Sequence, residues 1–181
     1  SICLIAKNEE KRIERCLSAA SKLDAEIVLV DTGSTDRTKE LAAKYTNKIY
    51  DFEWCNDFSA ARNFSISKAS NDWILVLDCD EYIESYDIQK INDFMQPIFH
   101  HYVGLILRRN QMNNADTCMD DWVERFFHRK HFHYDGIIHE QVRDNRGCPI
   151  ERCEVPITVY HDGYVDTPEN LKKKALRNET L

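Results

Sequence analysis

Four short apolar runs, each followed by a stretch of helical length, constrain this chain more than any other feature. Ser1 to Ala6, Glu26 to Val30, Lys48 to Phe52 and Trp73 to Leu77 read as strands. Between them, Ile13, Leu17 and Ala20 share one helical face behind Asn8, a predicted cap. Gly33-Ser34-Thr35-Asp36 supplies a turn and a cap for a helix carrying Leu41 and Tyr45, and a third helix follows Asp57. This β-α-β-α-β-α-β order implies an α/β fold, a mainly parallel sheet with helices on both faces.

The remainder is less regular. Ile88, Ile91 and Met95 predict a short helix stopped by Pro97. Tyr102 to Leu107, Glu124 to His128 and Val155 to Tyr160 predict strands, and Thr167-Pro168-Glu169 predicts the start of a final helix. No repeat or linker breaks the chain, so one domain is expected over residues 1–181.

The 181 residues suffice for one sizeable core. A net charge of -7 argues against a general nucleic-acid binder, which needs basic surface to neutralise phosphates. The seven cysteines are odd in number and scattered, with no Cys-x-x-Cys. That spacing argues against a disulfide framework and for a reducing compartment, the cytoplasm or the inner face of the membrane. No apolar run approaches a membrane span. The first residues already read as strand and the last as helix, so the chain is expected to be a piece of a longer one.

Carboxylates gather at one predicted sheet edge. Asp31 follows the second strand, and Asp78 and Asp80 follow the fourth. Asn8 and Glu9 follow the first. In open α/β sheets, ligands bind beyond the carboxyl ends of the strands. Asp78-Cys79-Asp80 suits Mg²⁺ or Mn²⁺, hard cations that take oxygen ligands and complete their shells with water and substrate phosphates. Read alone, so short a pattern as Asp-x-Asp is far more often a solvated turn; the hydrophobic strand before it and Asp31 beside it favour a site. The Asp31 to Asp36 turn is also an ordinary strand-to-helix connection, and its helix N-terminus can face phosphate.

These segments together resemble the family 2 glycosyltransferases, which have the Rossmann-like GT-A fold. "LIAKNEE" is similar to the family's first strand and loop, and "EIVLVDTGSTDRT" to its Val-Asp-Asp-Gly-Ser-Thr-Asp pattern, with Thr32 replacing the usual second Asp. "FSAARNFSISKASNDWILVLDCDE" resembles the approach to the family's Asp-x-Asp. "YDGIIHEQV" and "VYHDGY" resemble a bacterial subgroup that includes lipopolysaccharide-core glucosyltransferases and peptide S-glycosyltransferases, enzymes of cell-envelope and peptide modification.

The resemblance implies an inverting, metal-dependent transfer from a nucleotide-sugar, UDP-linked or similar, to a glycan, lipid-linked or peptide acceptor. It implies a nucleotide-sugar-binding half over 1–100 and an acceptor-binding half over 101–181. Asp31 would contact the nucleoside, Glu9 would line its pocket, Arg62 would reach base or phosphates, and Asp78 would lie near the ribose. Asp80 would bind Mn²⁺ or Mg²⁺, with His161 as a second metal ligand. Many members carry a late Glu-Asp or Asp-Asp pair that supplies the base; here Glu140 is the first candidate and Asp121 the second. A structural carboxylate paired with Arg125 or Arg143 is the rival role for Glu140, and a surface position the rival for Arg62. His128, His131 and His133 lack zinc-site spacing and read as surface or acceptor-groove residues. The polar stretch Asn110 to Asp121 reads as a loop that would close over the donor. A sugar-1-phosphate nucleotidyltransferase and a non-catalytic nucleotide-sugar-binding module are the alternatives. The first would carry a glycine-rich basic loop where this chain has Lys7-Asn8-Glu9-Glu10.

Overall fold

A computed structural model describes residues 1–112 and 118–162. Four strands alternate with three helices: β1 (Ile2–Ala6), α1 (Ile13–Ala20), β2 (Ile27–Asp31), α2 (Thr38–Ala42), β3 (Ile49–Asp51), α3 (Phe58–Lys68) and β4 (Trp73–Leu77). Then follow β5 (Glu81–Tyr86), α4 (Ile88–Phe94), β6 (Tyr102–Gln111), β7 (Cys118–His128), β8 (Phe132–Asp135), β9 (Gln141–Asp144) and β10 (Glu151–His161). The expected helix from Thr167 lies outside the described residues.

One eight-stranded sheet runs β3-β2-β1-β4-β7-β6-β10-β5, and β8 and β9 form a separate hairpin. β3, β2, β1 and β4 are mutually parallel. β7 is antiparallel to both β4 and β6. β10 lies parallel to β6 and antiparallel to β5. The sheet is therefore mixed, parallel in its first half. β5, although early in sequence, joins the far edge beside β10.

Period-two alternation sends successive residues of each strand to opposite faces. Ile2, Leu4 and Ala6 of β1 point to the face covered by α1, α2 and α4, while Cys3 points to the face covered by α3 and the β8–β9 hairpin. α1 meets the first face with Ile13, Cys16, Leu17 and Ala20, an i, i+3, i+4, i+7 stripe. Each Leu or Ile fully buried this way contributes about 1.5–3 kcal/mol. All seven cysteines are free, and Cys3, Cys16 and Cys79 act as small core residues. Gly104 of β6 has no room for a side chain: an added Cβ would lie 2.6 Å from Val155 Cγ2 and 3.0 Å from the Phe126 carbonyl oxygen. Among the described residues no helix is long and apolar enough to cross a membrane.

Three expectations change. Asn8 does not cap α1. It adopts φ 58°, and its Oδ1 accepts the Thr35 amide at 2.8 Å. The stretch Asn110 to Asp121 is largely strand where described: Asn110 and Gln111 end β6, and Cys118 to Asp121 begin β7. Alternating polar residues on two long paired strands carry no apolar face, which is why they read as loop. His128 is buried rather than exposed, beside Trp73 and His100 at the end of the sheet opposite the Asp78 turn.

Candidate active site

Three loops meet beyond the carboxyl ends of β1, β2 and β4. The β1 and β2 loops are fastened together. The Asn8 and Glu10 amides donate to Ser34 Oγ and Asp36 Oδ2 at 2.9 and 3.1 Å, and the Glu9 amide donates to Thr38 Oγ1 at 2.7 Å. Asp31 turns its Oδ2 back on the amides of Gly33 and Ser34, at 3.1 and 2.9 Å. Gly33, at φ 100°, supplies the conformation that this turn requires. Asp31 is 2% exposed, and its Oδ1 is buried without a hydrogen-bond partner. An orphaned buried carboxylate oxygen is costly and marks a place for a ligand donor.

Beside these loops lies a cleft of about 580 Å³. Lys7, Arg62, Arg108 and Arg125 face Glu9, Asp78, Asp80 and Glu140 within it, and Trp54, Phe58 and Ile138 give it an apolar wall. Thr32 lines the cleft, next to Asp31. Arg62 is 5% exposed, so it is no surface arginine. Asp57 caps α3 by accepting the Ala60 amide, and α3 turns Arg62 inward with Ser59, Ala61, Ser65 and Ile66. Its Nη2 donates to Asp78 Oδ1 at 2.8 Å and its Nε to Glu140 Oε1 at 2.6 Å, while Nη1 is buried without a hydrogen-bond partner. The partner of the Glu140 carboxylate is thus the Arg62 guanidinium, not Arg125 or Arg143.

Arg125 of β7 completes this network by donating to Asp78 Oδ2 at 2.6 Å and to Glu81 Oε1 at 3.3 Å. Burial would raise the Asp78 pKa, yet Arg125 and Arg62 hold it far below the usual carboxylate range. Glu81 is 1% exposed, and burial, offset only in part by Arg125, raises its pKa. Sequence reasoning missed Arg108, Arg125 and Glu81 as site residues. The acidity of Asp78-Cys79-Asp80-Glu81 was the available signal for the last.

Asp80 and His161 come together because β10 pairs with β5: His161 stands opposite Glu81, just after the Asp78 turn. His161 Nε2 lies 3.6 Å from Asp80 Oδ2, and its Nδ1 lies 2.8 Å from Asn110 Oδ1. One oxygen and one imidazole nitrogen at this spacing suit a shared divalent cation. Among the described residues no three or more His, Cys, Asp or Glu side chains are arranged to hold a metal alone.

Glu140 ends the loop after Gly136, whose φ is 110°. The Ile137 carbonyl accepts the Phe58 amide at 3.0 Å, which ties this loop to the start of α3. Glu140 also lines a second cavity of about 420 Å³ with Trp122, Tyr134, Arg143 and Arg152. Asp121 does not line the main cleft. Arg108 holds it with a two-pronged contact, Nε to Oδ1 at 3.0 Å and Nη2 to Oδ2 at 2.6 Å. Burial would raise its pKa, but hydrogen bonds from Arg108 and Asn110 keep it below the usual range.

Comparisons with known proteins agree with this geometry. The SPbeta prophage-derived glycosyltransferase SunS of Bacillus subtilis is 28% identical over 181 residues, which cover 98% of this chain and 43% of SunS. A crystal structure of S. aureus TarS superposes with a TM-score of 0.62 at 18% identity, covering 95% of this chain and 37% of that one. The crystal structure of TarS 1-349 in complex with UDP-GlcNAc has a TM-score of 0.50 at 26% identity, over 64% of this chain and 35% of that one. The chain thus spans less than half the length of these relatives. The family described as glycosyl transferase family 2 matches residues 1–149, and the chain belongs to that family, as a glycosyltransferase domain of the GT-A type.

Proposed function

We propose that this domain moves a sugar from a UDP-linked donor to an acceptor nucleophile, with inversion, in the presence of Mn²⁺ or Mg²⁺. The observation that carries the reading is the meeting of Asp80 and His161 in the lining of a cleft that also holds Glu140. The donor half would be residues 1–100 and the acceptor half 101–181. Complexes of TarS 1-349 with UDP-GlcNAc support the choice of donor class.

Asp31 Oδ1 would accept from the nucleoside, which would give that orphaned oxygen a partner. Glu9 would border the same pocket. Arg62 would offer its unpaired Nη1 to the base or phosphates while remaining anchored by Asp78 and Glu140. Asp78, fixed by two arginines, would lie beside the ribose. Asp80 and His161 would hold the cation, which when bound offsets the charge that develops on the leaving diphosphate. Imidazole favours Mn²⁺ over the harder Mg²⁺. Glu140 would take the acceptor proton: Arg62 holds its Oε1, which leaves Oε2 to act as base. Trp54, Phe58 and Ile138 would exclude water that would otherwise hydrolyse the donor. Seven free thiols favour a cytoplasmic setting, at the inner face of the membrane if the acceptor is lipid-linked.

Calorimetry tests the reading. UDP is expected to bind more tightly with Mn²⁺ than with EDTA, and Asp80→Ala to abolish the gain without unfolding the protein. Equal UDP affinity in both conditions would sink metal dependence. Absence of nucleoside diphosphate release from any nucleotide-sugar would turn the domain into a binding module.

A further inference from the structure

Asn110 sits behind the cation site and not in it. It is 5% exposed, in the last turn of strand pairing between β6 and β7. Its Nδ2 donates at 2.9 Å to the Met119 carbonyl and at 2.9 Å to Asp121 Oδ1. A carbonyl oxygen accepts only, and so does an ionised carboxylate. Asp121 is kept ionised and immobile by the two-pronged grip of Arg108. The amide of Asn110 therefore has one permitted orientation, and its Oδ1 must be the atom facing His161 Nδ1 at 2.8 Å.

From this we infer that Asn110 is a positioning residue that holds His161 in the Nδ1–H tautomer. An amide oxygen can only accept, so the neutral ring must carry its proton on Nδ1. The lone pair is then on Nε2, the nitrogen that faces Asp80. The chain Arg108, Asp121, Asn110, His161 transmits orientation from a half-buried guanidinium to the proposed cation ligand. Histidines that ligate metals are commonly fixed in this way through their second nitrogen. Asp121 acquires a role distinct from that of a base: it selects the Asn110 rotamer. The tautomer assignment stands on the metal-free geometry, and its consequence for the cation rests on the function proposed above.

Two measurements decide it. Long-range ¹H–¹⁵N spectra of histidine-labelled, metal-free protein, recorded well above the imidazole pKa and assigned with His161→Gln, report which nitrogen is protonated. Nδ1–H is expected; an Nε2–H ring overturns the inference, with no mutant of Asn110 required. Asn110→Leu keeps the volume and removes the acceptor. With UDP present, its Mn²⁺ affinity read by electron paramagnetic resonance should fall about 10-fold or more, the scale of losing such a support. The reversed pair Asn110→Asp with Asp121→Asn again offers Nδ1–H an acceptor and should recover part of that loss together with the Nδ1–H signal. A folded Asn110→Leu protein that binds Mn²⁺ as tightly as the unmutated one overturns the positioning role. If the unmutated protein binds UDP equally with and without Mn²⁺, the metal reading fails instead, and the tautomer spectrum still decides the inference.

Discussion

On the β3-β2-β1-β4 side of the sheet, the candidate site residues sit at or just past the ends of buried strands. On the β7-β6-β10-β5 side they sit within or at the margins of long strands. Glu9, Asp31, Asp78 and Asp80 belong to the first group. Arg108, Asn110, Arg125, His161 and Glu81 belong to the second. The first side is almost entirely carboxylate, and its loops are fixed by backbone amides donating to Asp31, Asp36, Ser34 and Asn8. The second side adds Arg108 and Arg125 to it. Asp78 is held from both directions, by Arg62 of α3, which follows β3, and by Arg125 of β7 across the sheet.

The sharpest way to break that comparison is to cut the link. Arg62 is buried between Asp78 of one side and Glu140 of the hairpin side. Arg62→Met keeps much of the volume and leaves two partly buried carboxylates short of a partner. We expect a stability loss of about 3–5 kcal/mol in urea unfolding, the scale of breaking a buried ion pair. A loss within the range of ordinary surface substitutions would show that each side neutralises itself.

A smaller effect separates binding from chemistry. Glu140→Gln should leave UDP-sugar affinity near that of the unmutated protein, because Gln still offers Arg62 Nε an oxygen acceptor and the proposed donor contacts are other residues. Transfer should slow by at least about 100-fold, the lower scale of general-base effects. Transfer at a near-native rate would remove Glu140 from the mechanism.

The smallest effect concerns the end of the sheet remote from the cleft. Burial, followed by His100, lowers His128 from 6.5 to about 4, while Asp72 opposes the shift. The folded pKa lies below the unfolded one, so the folded state resists the proton. The stability tied to the neutral ring is complete above pH 6.5 and is lost as pH falls towards 4. Melting temperatures of the unmutated protein should therefore fall more steeply over this range than those of His128→Gln. Parallel curves would show that this ring is solvated when folded.

The parallel side was legible because its signals are local. Apolar runs such as Ile27 to Val30 have no competing interpretation, and a carboxylate directly after one must lie at the sheet edge. β5 escaped notice because its most buried residue is Glu81, an acid where the alternation calls for an apolar side chain. The β8–β9 hairpin is made of four-residue strands whose inward positions include Asp144, too short and too polar to show a period. Arg108 and Arg125 looked like the wet face of two strands, since only tertiary pairing reveals that their partners are Asp121, Asp78 and Glu81. His161 was readable only through a family resemblance, and Asn110 not at all, because an amide that orients another side chain leaves no pattern in sequence.

The pairing of β5 with β10 also sets an order of events during synthesis. β1 to β4 are joined by short crossovers and have nearly all their partners once Leu77 has emerged, so this side of the sheet can start to fold early. β5 follows directly, yet its pairing runs from Tyr86 with Ile157 to Glu81 with His161. Until β10 has been made, β5 waits as an unpaired edge, and closing so long a loop is slow. Nascent chains halted before residue 151 would expose this edge to one another, a ready template for aggregation. The strand that carries His161 to Asp80 is therefore also the strand that ends this vulnerable interval, and the proposed cation site is among the last parts of the sheet to be assembled.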